Sequence, residues 1–323
     1  MDTFLSIEQG RKIDLTTFIT GVNGQLGHDL MLELARRGHT AVGSGSGESC
    51  RCADAVADMP YIQLDITDCK AVLDTISDLR PDVVFHCSAW TAVDDAEKPE
   101  NRERVFALNE TGPENIAAAC KAVGAKLVYI STDYVFDGKG EIPWQADEQR
   151  FSPLNVYGQS KLAGEQAVRR NTDRFFIVRT AWVFGANGKN FVKTMLRVGK
   201  SHDTVRVVDD QIGTPTYTAD LARLLADMAE TERYGVYHAV NSGGYISWAD
   251  FTREIYRQAG LSTEVIPVTT EEYGLSLAAR PHNSRLDLTK LSRKGFQPLP
   301  PWQDALHRFL IEIGEIKEWD KSK

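Results

Sequence analysis

Thr17-Phe-Ile-Thr20-Gly21-Val-Asn-Gly24-Gln-Leu-Gly27 runs from a short apolar strand into a glycine-rich turn, followed by a helical pattern of Leu30, Leu32 and Leu34 that ends at Gly38. In a strand-turn-helix setting the G-x-x-G-x-x-G spacing points to dinucleotide binding far more specifically than glycines alone. Gly21 permits the tight turn, Gly24 lets the backbone approach a pyrophosphate, and Gly27 allows helix and strand to pack closely. The amino terminus of the helix then faces the anion.

The segments downstream keep the same rhythm. Strands are expected at His39–Gly43, Tyr61–Asp65, Val83–Cys87, Leu127–Ser131 and Phe175–Thr180, with helices at Asp68–Leu79, Glu114–Val123 and from about Tyr157. Strands alternating with helices predict an α/β fold, a Rossmann-type doubly wound parallel sheet whose ligands sit beyond the carboxyl ends of the strands. Those ends carry Gly21 onward, Asp65-Ile66, Ser88-Ala89-Trp90-Thr91 and Ser131-Thr132-Asp133, which should line one crevice. Past residue 182 the rhythm loosens. Short strands at Val205–Val208, Val236–Val240 and Val265–Val268 mix with helices near Ala219–Glu230, Trp248–Ala259 and Gln303–Glu315. The expected division is a leader over 1–15, a dinucleotide-binding domain mainly over 16–182 and a smaller α/β substrate domain mainly over 183–323, with the chain crossing between lobes. Gly43–Ser49 reads as a mobile loop beside the cofactor.

The 323 residues carry a formal charge of -8, and 42% of them are hydrophobic, enough for a substantial core. No run of Lys or Arg suits nucleic acid or anionic lipid, and no apolar stretch approaches the ~18 residues of a membrane span. The beginning of the chain, with Asp2 and Glu8, lacks an apolar signal-peptide core. Five scattered cysteines suit a reducing compartment, and Cys50-x-Cys52 has no second pair at metal spacing. A cytoplasmic protein acting on small molecules is expected.

Tyr157 and Lys161 stand four apart at the start of a predicted helix and share a face. A phenol ionises near pH ~10 and needs a nearby cation to work near neutrality. At ~4 Å and an effective dielectric of ~20, one positive charge contributes up to ~4 kcal/mol. A lysine placed so could bring the phenol toward the operating pH.

The glycine loop, Ser131-Thr132-Asp133 and Tyr157/Lys161, in that order, resemble an extended short-chain dehydrogenase/reductase. Further blocks narrow the resemblance. Gly24-Gln-Leu-Gly27, Ala89-Trp-Thr-Ala-Val-Asp94, Ser131-Thr-Asp-Tyr-Val-Phe-Asp-Gly138, Pro153-Leu-Asn-Val-Tyr-Gly158, Lys161-Leu-Ala-Gly-Glu165, Arg179-Thr-Ala-Trp-Val-Phe-Gly185, Asp210-Gln-Ile-Gly-Thr-Pro-Thr216 and Arg280-Pro-His-Asn-Ser284 are similar to the dTDP-4-dehydrorhamnose reductase family, from Thr17 to about Leu310. The resemblance implies NADPH-dependent reduction of the C4 ketone of dTDP-4-dehydro-6-deoxy-L-mannose to dTDP-L-rhamnose, a precursor for cell-surface polysaccharide. It implies Tyr157 as the general acid, and Lys161 as the group that lowers its pKa and holds the nicotinamide ribose. Thr132 would hydrogen-bond the keto oxygen or tune Tyr157. Donors aimed at an oxygen that gains negative charge favour the transition state over the ketone. Cofactor contacts carry over to Gly21, Gly24, Gln25, Leu26, Gly27, Ser44, Asp65, Ile66, Ala89, Trp90 and Thr91, besides Tyr157 and Lys161. Substrate contacts carry over to Thr132, Asp133, Tyr134, Trp182, Gln211 and Arg280, the last as a bidentate donor to a diphosphate. Asn109 lies where such reductases often have an asparagine that supports the lysine through water; a polar helix residue is the plain alternative.

NAD-specific folds usually end the second strand on Asp or Glu, which grips the ribose 2′-hydroxyl. Here Val42-Gly43-Ser44-Gly45 has no carboxylate, and Arg51 follows closely. NADPH is therefore the expected donor, with NADH left open as a second one. A nucleotide-sugar dehydratase or epimerase is the competing enzyme class, but a dehydratase carries Asp-Glu after the strand-end threonine where this chain has Asp133-Tyr134. A regulatory subunit of the same fold would be expected to lose the tyrosine, the lysine or the glycine loop, all of which are present. Some relatives dimerise through magnesium held by glutamates. Glu312, Glu315 and Glu318 read equally well as an exposed helix end, so no structural metal is predicted, and the partner reading is a monomer or homodimer.

Overall fold

The structure is a computed structural model and describes residues 14–50 and 59–317. The leader up to residue 13, Arg51, Cys52 and Glu318 lie outside the described residues.

Seven parallel strands form the central sheet: β1 (Thr16–Thr20), β2 (Thr40–Gly45), β3 (Tyr61–Gln63), β4 (Val83–His86), β5 (Lys126–Thr132), β6 (Phe175–Thr180) and β7 (Gly235–His238). Their order is β7-β6-β5-β4-β1-β2-β3. The order reverses between β1 and β4, which places the ligand crevice beyond their carboxyl ends. Side chains alternate across the sheet as the period of two requires. Ile19, Phe85, Val128 and Phe176 face a core closed by Leu30 and Leu34 of the helix Gln25–Arg37 and by Leu221 and Leu225 of the helix Thr218–Ala229. Phe18, Val84, Leu127 and Ile177 face the opposite core, with Val72, Ile76, Ile116 and Val168 from the helices Cys69–Leu79, Gly112–Val123 and Val156–Asn171.

Three differences from the sequence expectation have local causes. The second strand runs on to Gly45, two residues past Gly43, because Gly43–Gly45 pair with Tyr61–Gln63. The segment after it is held by Tyr61 Oη donating to Gly47 O at 2.7 Å and by Gln63 to Ser46 O at 3.1 Å. The strand expected among those of the substrate domain is β7, paired in parallel with β6 at the sheet edge. The helix Phe191–Gly199, absent from the expected elements, is capped by Asn190 accepting from Lys193 N at 3.0 Å.

The rest of the carboxy-terminal half gathers around Phe184, Tyr217, Phe251, Trp302 and Phe309. Its β structure consists of short pairs, such as Thr204–Val208 with Glu264–Val268 in parallel and Ile212–Gly213 with Ile246–Ser247 antiparallel. No helix among the described residues is long and apolar enough to cross a membrane.

Candidate active site

The cleft begins at the turn after β1. Gly21 has φ +74°, a conformation that costs most residues free energy and glycine little. A Cβ on Gly27 would lie 2.4 Å from Gly21 O, so only glycine lets the first helical turn sit against the turn below it. The helix Gln25–Arg37 starts after Gly24, with no side-chain cap and no acidic residue in its first turn. Its leading N–H groups are therefore open to an external anion. This cradle fits a dinucleotide pyrophosphate, with Gly24, Gln25 and Leu26 as the residues that would hold it.

Opposite stand the ends of β5 and the helix Val156–Asn171. Asn155 caps that helix by accepting from Gly158 N at 2.8 Å, and Glu97 Oε1 accepts from Val156 N at 2.7 Å, a carboxylate at the positive helix end. The two contacts fix the first turn and with it Tyr157. The Tyr157 phenol is raised above its ordinary pKa, first by loss of solvent and then by Asp133 and Tyr134, while a hydrogen bond with Thr132 opposes the shift. It is thus protonated at neutral pH, and Lys161, expected to bring the phenol down, is not among the groups that shift it. Thr132 Oγ1 also donates to Asp133 Oδ1 at 3.0 Å and accepts from Tyr134 N at 3.2 Å. Burial raises the Asp133 carboxyl to about 6, and its Oδ2 is buried without a hydrogen-bond partner.

Lys161, one turn along, is buried. Its Nζ donates to Ile130 O at 2.7 Å and lies 4.2 Å from the centre of the Tyr129 ring. Burial lowers its pKa to about 7, while the charge of Glu165 raises it. Glu165 itself is enclosed. It accepts two bonds from Arg179, each 2.7 Å, and one from Ser131 Oγ at 2.6 Å, and the guanidinium lies over the rings of Phe136 and Phe151. The residue before Thr132 and the helix of Lys161 are thereby tied to one buried carboxylate.

A single cavity of about 550 Å³ collects the glycine loop from Gly21 to Gly27, Ala89, Thr91, Thr132 to Tyr134, Tyr157, Lys161, Trp182 and Arg280. Arg280 donates to Asp94 Oδ2 at 2.6 Å and to Tyr134 Oη at 3.3 Å, so its charge is already paired. Trp182 has φ +50°, a left-handed backbone unusual outside glycine, and its ring stacks on Trp248 at 3.7 Å.

Five of the expected contacts lie away from the lining. Ser44 is fully buried; its hydroxyl donates to Ile19 O at 3.3 Å and its carbonyl accepts from Gly21 N at 2.8 Å. It thus supports the glycine loop from behind, because the strand continues past it and turns its side chain into the sheet. Gln211 is buried and donates to Thr270 Oγ1 at 3.0 Å. Asp65 accepts from Thr67 within its own turn, and Ile66 packs over Gly112. The Trp90 indole donates to Ala92 O at 2.9 Å. Trp90's backbone is gripped by Asn109, whose Oδ1 accepts from Trp90 N at 2.8 Å and whose Nδ2 donates to Trp90 O at 3.1 Å and to Ser160 Oγ at 2.9 Å. Asn109 sits in the π-helical turn Ala107–Thr111.

The lining also contains Lys189, Phe191, Trp248 and Phe251, which the sequence reading did not single out. Ser247 and Asp250 form a capping box and so mark a helix start at Trp248, but no local signal tells which way that indole faces. Glu312 receives the Tyr217 hydroxyl at 2.5 Å and Glu315 the Lys200 ammonium at 2.6 Å.

A parallel sheet with a glycine loop at its switch point, faced in the same cleft by a tyrosine and a lysine one helical turn apart, defines a dinucleotide-dependent oxidoreductase of the short-chain dehydrogenase class. The family model of the RmlD substrate binding domain matches residues 15–314. The dTDP-4-dehydrorhamnose reductase of Streptomyces griseus is 42% identical over 294 residues, covering 89% of this chain and 90% of the relative. That of Salmonella typhimurium is 39% identical over 315 residues, covering 93% and 98%. The crystal structure of the Bacillus anthracis dTDP-4-dehydrorhamnose reductase in complex with NADP superposes with a TM-score of 0.83 at 40% identity, covering 93% of this chain and 100% of that one. The chain belongs to the dTDP-4-dehydrorhamnose reductase family.

Proposed function

We propose that this protein reduces the C4 ketone of dTDP-4-dehydro-6-deoxy-L-mannose to dTDP-L-rhamnose with NADPH as donor, so providing an activated deoxysugar for cell-surface polysaccharide. The observation that carries the reading is the convergence, in one cleft, of an open anion cradle with a phenol that its surroundings keep protonated. NADPH, when bound, supplies the hydride.

The chain supplies the proton and the electrostatics. Tyr157 donates its proton to the oxygen that gains charge, and Thr132 hydrogen-bonds that oxygen or the phenol. Lys161 in its ammonium form stabilises the phenolate left on Tyr157, and Ile130 O and the Tyr129 ring hold it in place. Asp133, with an unpaired Oδ2, accepts from a sugar hydroxyl, while Tyr134, Trp182 and Arg280 bound the sugar-nucleotide side. NADPH is favoured because β2 carries no carboxylate to repel a 2′-phosphate and because a relative of the same family was solved with NADP. We further infer action in the cytoplasm as a monomer or homodimer; the four described cysteines, all free, fit a reducing compartment.

The test is NADPH oxidation with the ketosugar nucleotide generated in place and NADH run in parallel. Turnover favouring NADPH is expected. Turnover favouring NADH would keep the reaction and overturn the cofactor choice, and no turnover by folded protein that binds dinucleotide would overturn the substrate.

A further inference from the structure

Three cationic side chains line the cleft: Lys161, Arg280 and Lys189. The first is committed to Ile130 O and the second to Asp94. Lys189 is exposed, and it has no hydrogen-bond or ion-pair partner among the described residues. A cation at the rim of a ligand cleft that no described residue neutralises is available to an anionic ligand.

The loop carrying Lys189 is fastened to the dinucleotide cradle. Asn187 Nδ2 donates to Asn23 O at 3.0 Å and to Gly24 O at 3.3 Å, and Asn190 Nδ2 donates to Gln25 Oε1 at 2.9 Å and to Gly185 O at 2.8 Å. From the other side, Lys193 Nζ donates to Ala186 O and to Gly188 O. Lys193 is thus consumed in shaping the loop, while Lys189, between the two asparagines in sequence, is left for the cleft. Every clasp on the cradle falls on Asn23, Gly24 or Gln25, the stretch from which the open helix amino terminus starts.

We propose that Gly185–Asn190 is a clamp on the bound dinucleotide and that Lys189 is its anion contact, pairing with the pyrophosphate held by the glycine loop. The inference rests on the proposed dinucleotide-dependent function and adds to it a binding residue contributed by the carboxy-terminal half of the chain. An ammonium on a pyrophosphate oxygen makes a charge-assisted hydrogen bond. Because the pyrophosphate is common to both donors, the contact affects NADPH and NADH equally.

The test is direct titration of the full chain, wild type and Lys189→Met, with NADPH and separately with NADH, following dinucleotide fluorescence. The dissociation constant is expected to rise about tenfold for both in Lys189→Met, with Lys189→Arg recovering most of the loss and thermal melting unchanged. An unchanged constant in Lys189→Met, or a loss confined to NADPH, would overturn the proposal, the latter by placing the lysine at the 2′-phosphate. Failure of the wild type to bind either dinucleotide would overturn the underlying function as well.

Discussion

The central sheet and the carboxy-terminal lobe face one another across the cleft, yet they place side chains in it by different means. In the sheet, β1 and β5 span 5 and 7 residues, and each delivers its functional group at the point where the ladder stops and a turn or helix begins. Position there follows from backbone hydrogen bonds that any apolar strand makes. In the lobe the corresponding strands, Val183–Phe184 and Ile212–Gly213, have 2 residues each; the Trp182 backbone accepts one bond, from Thr216 N at 3.1 Å, and its indole is placed by packing, with the Trp248 ring on one side and, on the other, Gly213, where a Cβ would stand 2.9 Å from the indole. Chemistry placed on a ladder should fail steeply when changed, whereas a wall built of packed rings should mainly tune affinity.

On the sheet side, Tyr157, in the first turn of the helix Val156–Asn171 beside the end of β5, offers the largest test of that contrast through Tyr157→Phe. Turnover should fall by about 10²–10⁴-fold, the usual worth of a positioned acid, with NADPH affinity nearly unchanged in a fluorescence titration. Retained turnover would take the phenol out of the mechanism. Next comes the buried pair under the sheet end. Arg179→Leu removes the two guanidinium bonds to Glu165, leaving it Ser131 Oγ at 2.6 Å and the more distant Arg169 at 3.9 Å, and should lower unfolding free energy by about 3–5 kcal/mol in a denaturant titration. A loss no greater than that of a surface substitution would mean that Ser131 and Arg169 hold Glu165 without Arg179.

The pH profile is a subtler probe of the same side. Burial lowers the Lys161 ammonium from its ordinary value to about 7, so the cation exists below that pH and disappears as pH rises through it. Burial raises Asp133 to about 6, so its carboxylate is lost as pH falls through that value. A bell in kcat/KM with limbs near 6 and 7 is expected, and Asp133→Asn should remove the acid limb alone. A profile flat across that range would refute both assignments. The smallest effect belongs to the lobe. Trp248→Leu removes the ring under Trp182 and should raise KM for the nucleotide sugar roughly two- to tenfold, with little change in kcat. A fall in kcat at constant KM would mean that the aromatic wall orients the reacting carbon, which would erase the contrast.

The legible parts of the site were those where one residue type solves a local problem. Gly27 is read from spacing because nothing larger fits there, and Tyr157 and Lys161 because one helical turn separates them. Ser44 shows the limit of such spacing: β2 continues past Gly43 by pairing with Tyr61–Gln63, and the Ser44 hydroxyl faces Ile19 O rather than the cleft. Lys189 and Trp248 carry no such local mark: in sequence one is an ordinary loop lysine and the other an ordinary first-turn aromatic.

By itself the sequence determined the parallel sheet, the glycine cradle and the acid–lysine pair, since strand periodicity, turn stereochemistry and helical spacing act within a few residues of each group. Only the tertiary structure decided what those groups face. The closure of the cradle by Asn187 and Asn190, the enclosure of Glu165 by Arg179 and the stack of Trp182 on Trp248 all join segments whose meeting depends on how the lobe packs back over the sheet. Desolvation, which sets the charge states of Tyr157, Lys161 and Asp133, arises from that same packing and has no local signature along the chain.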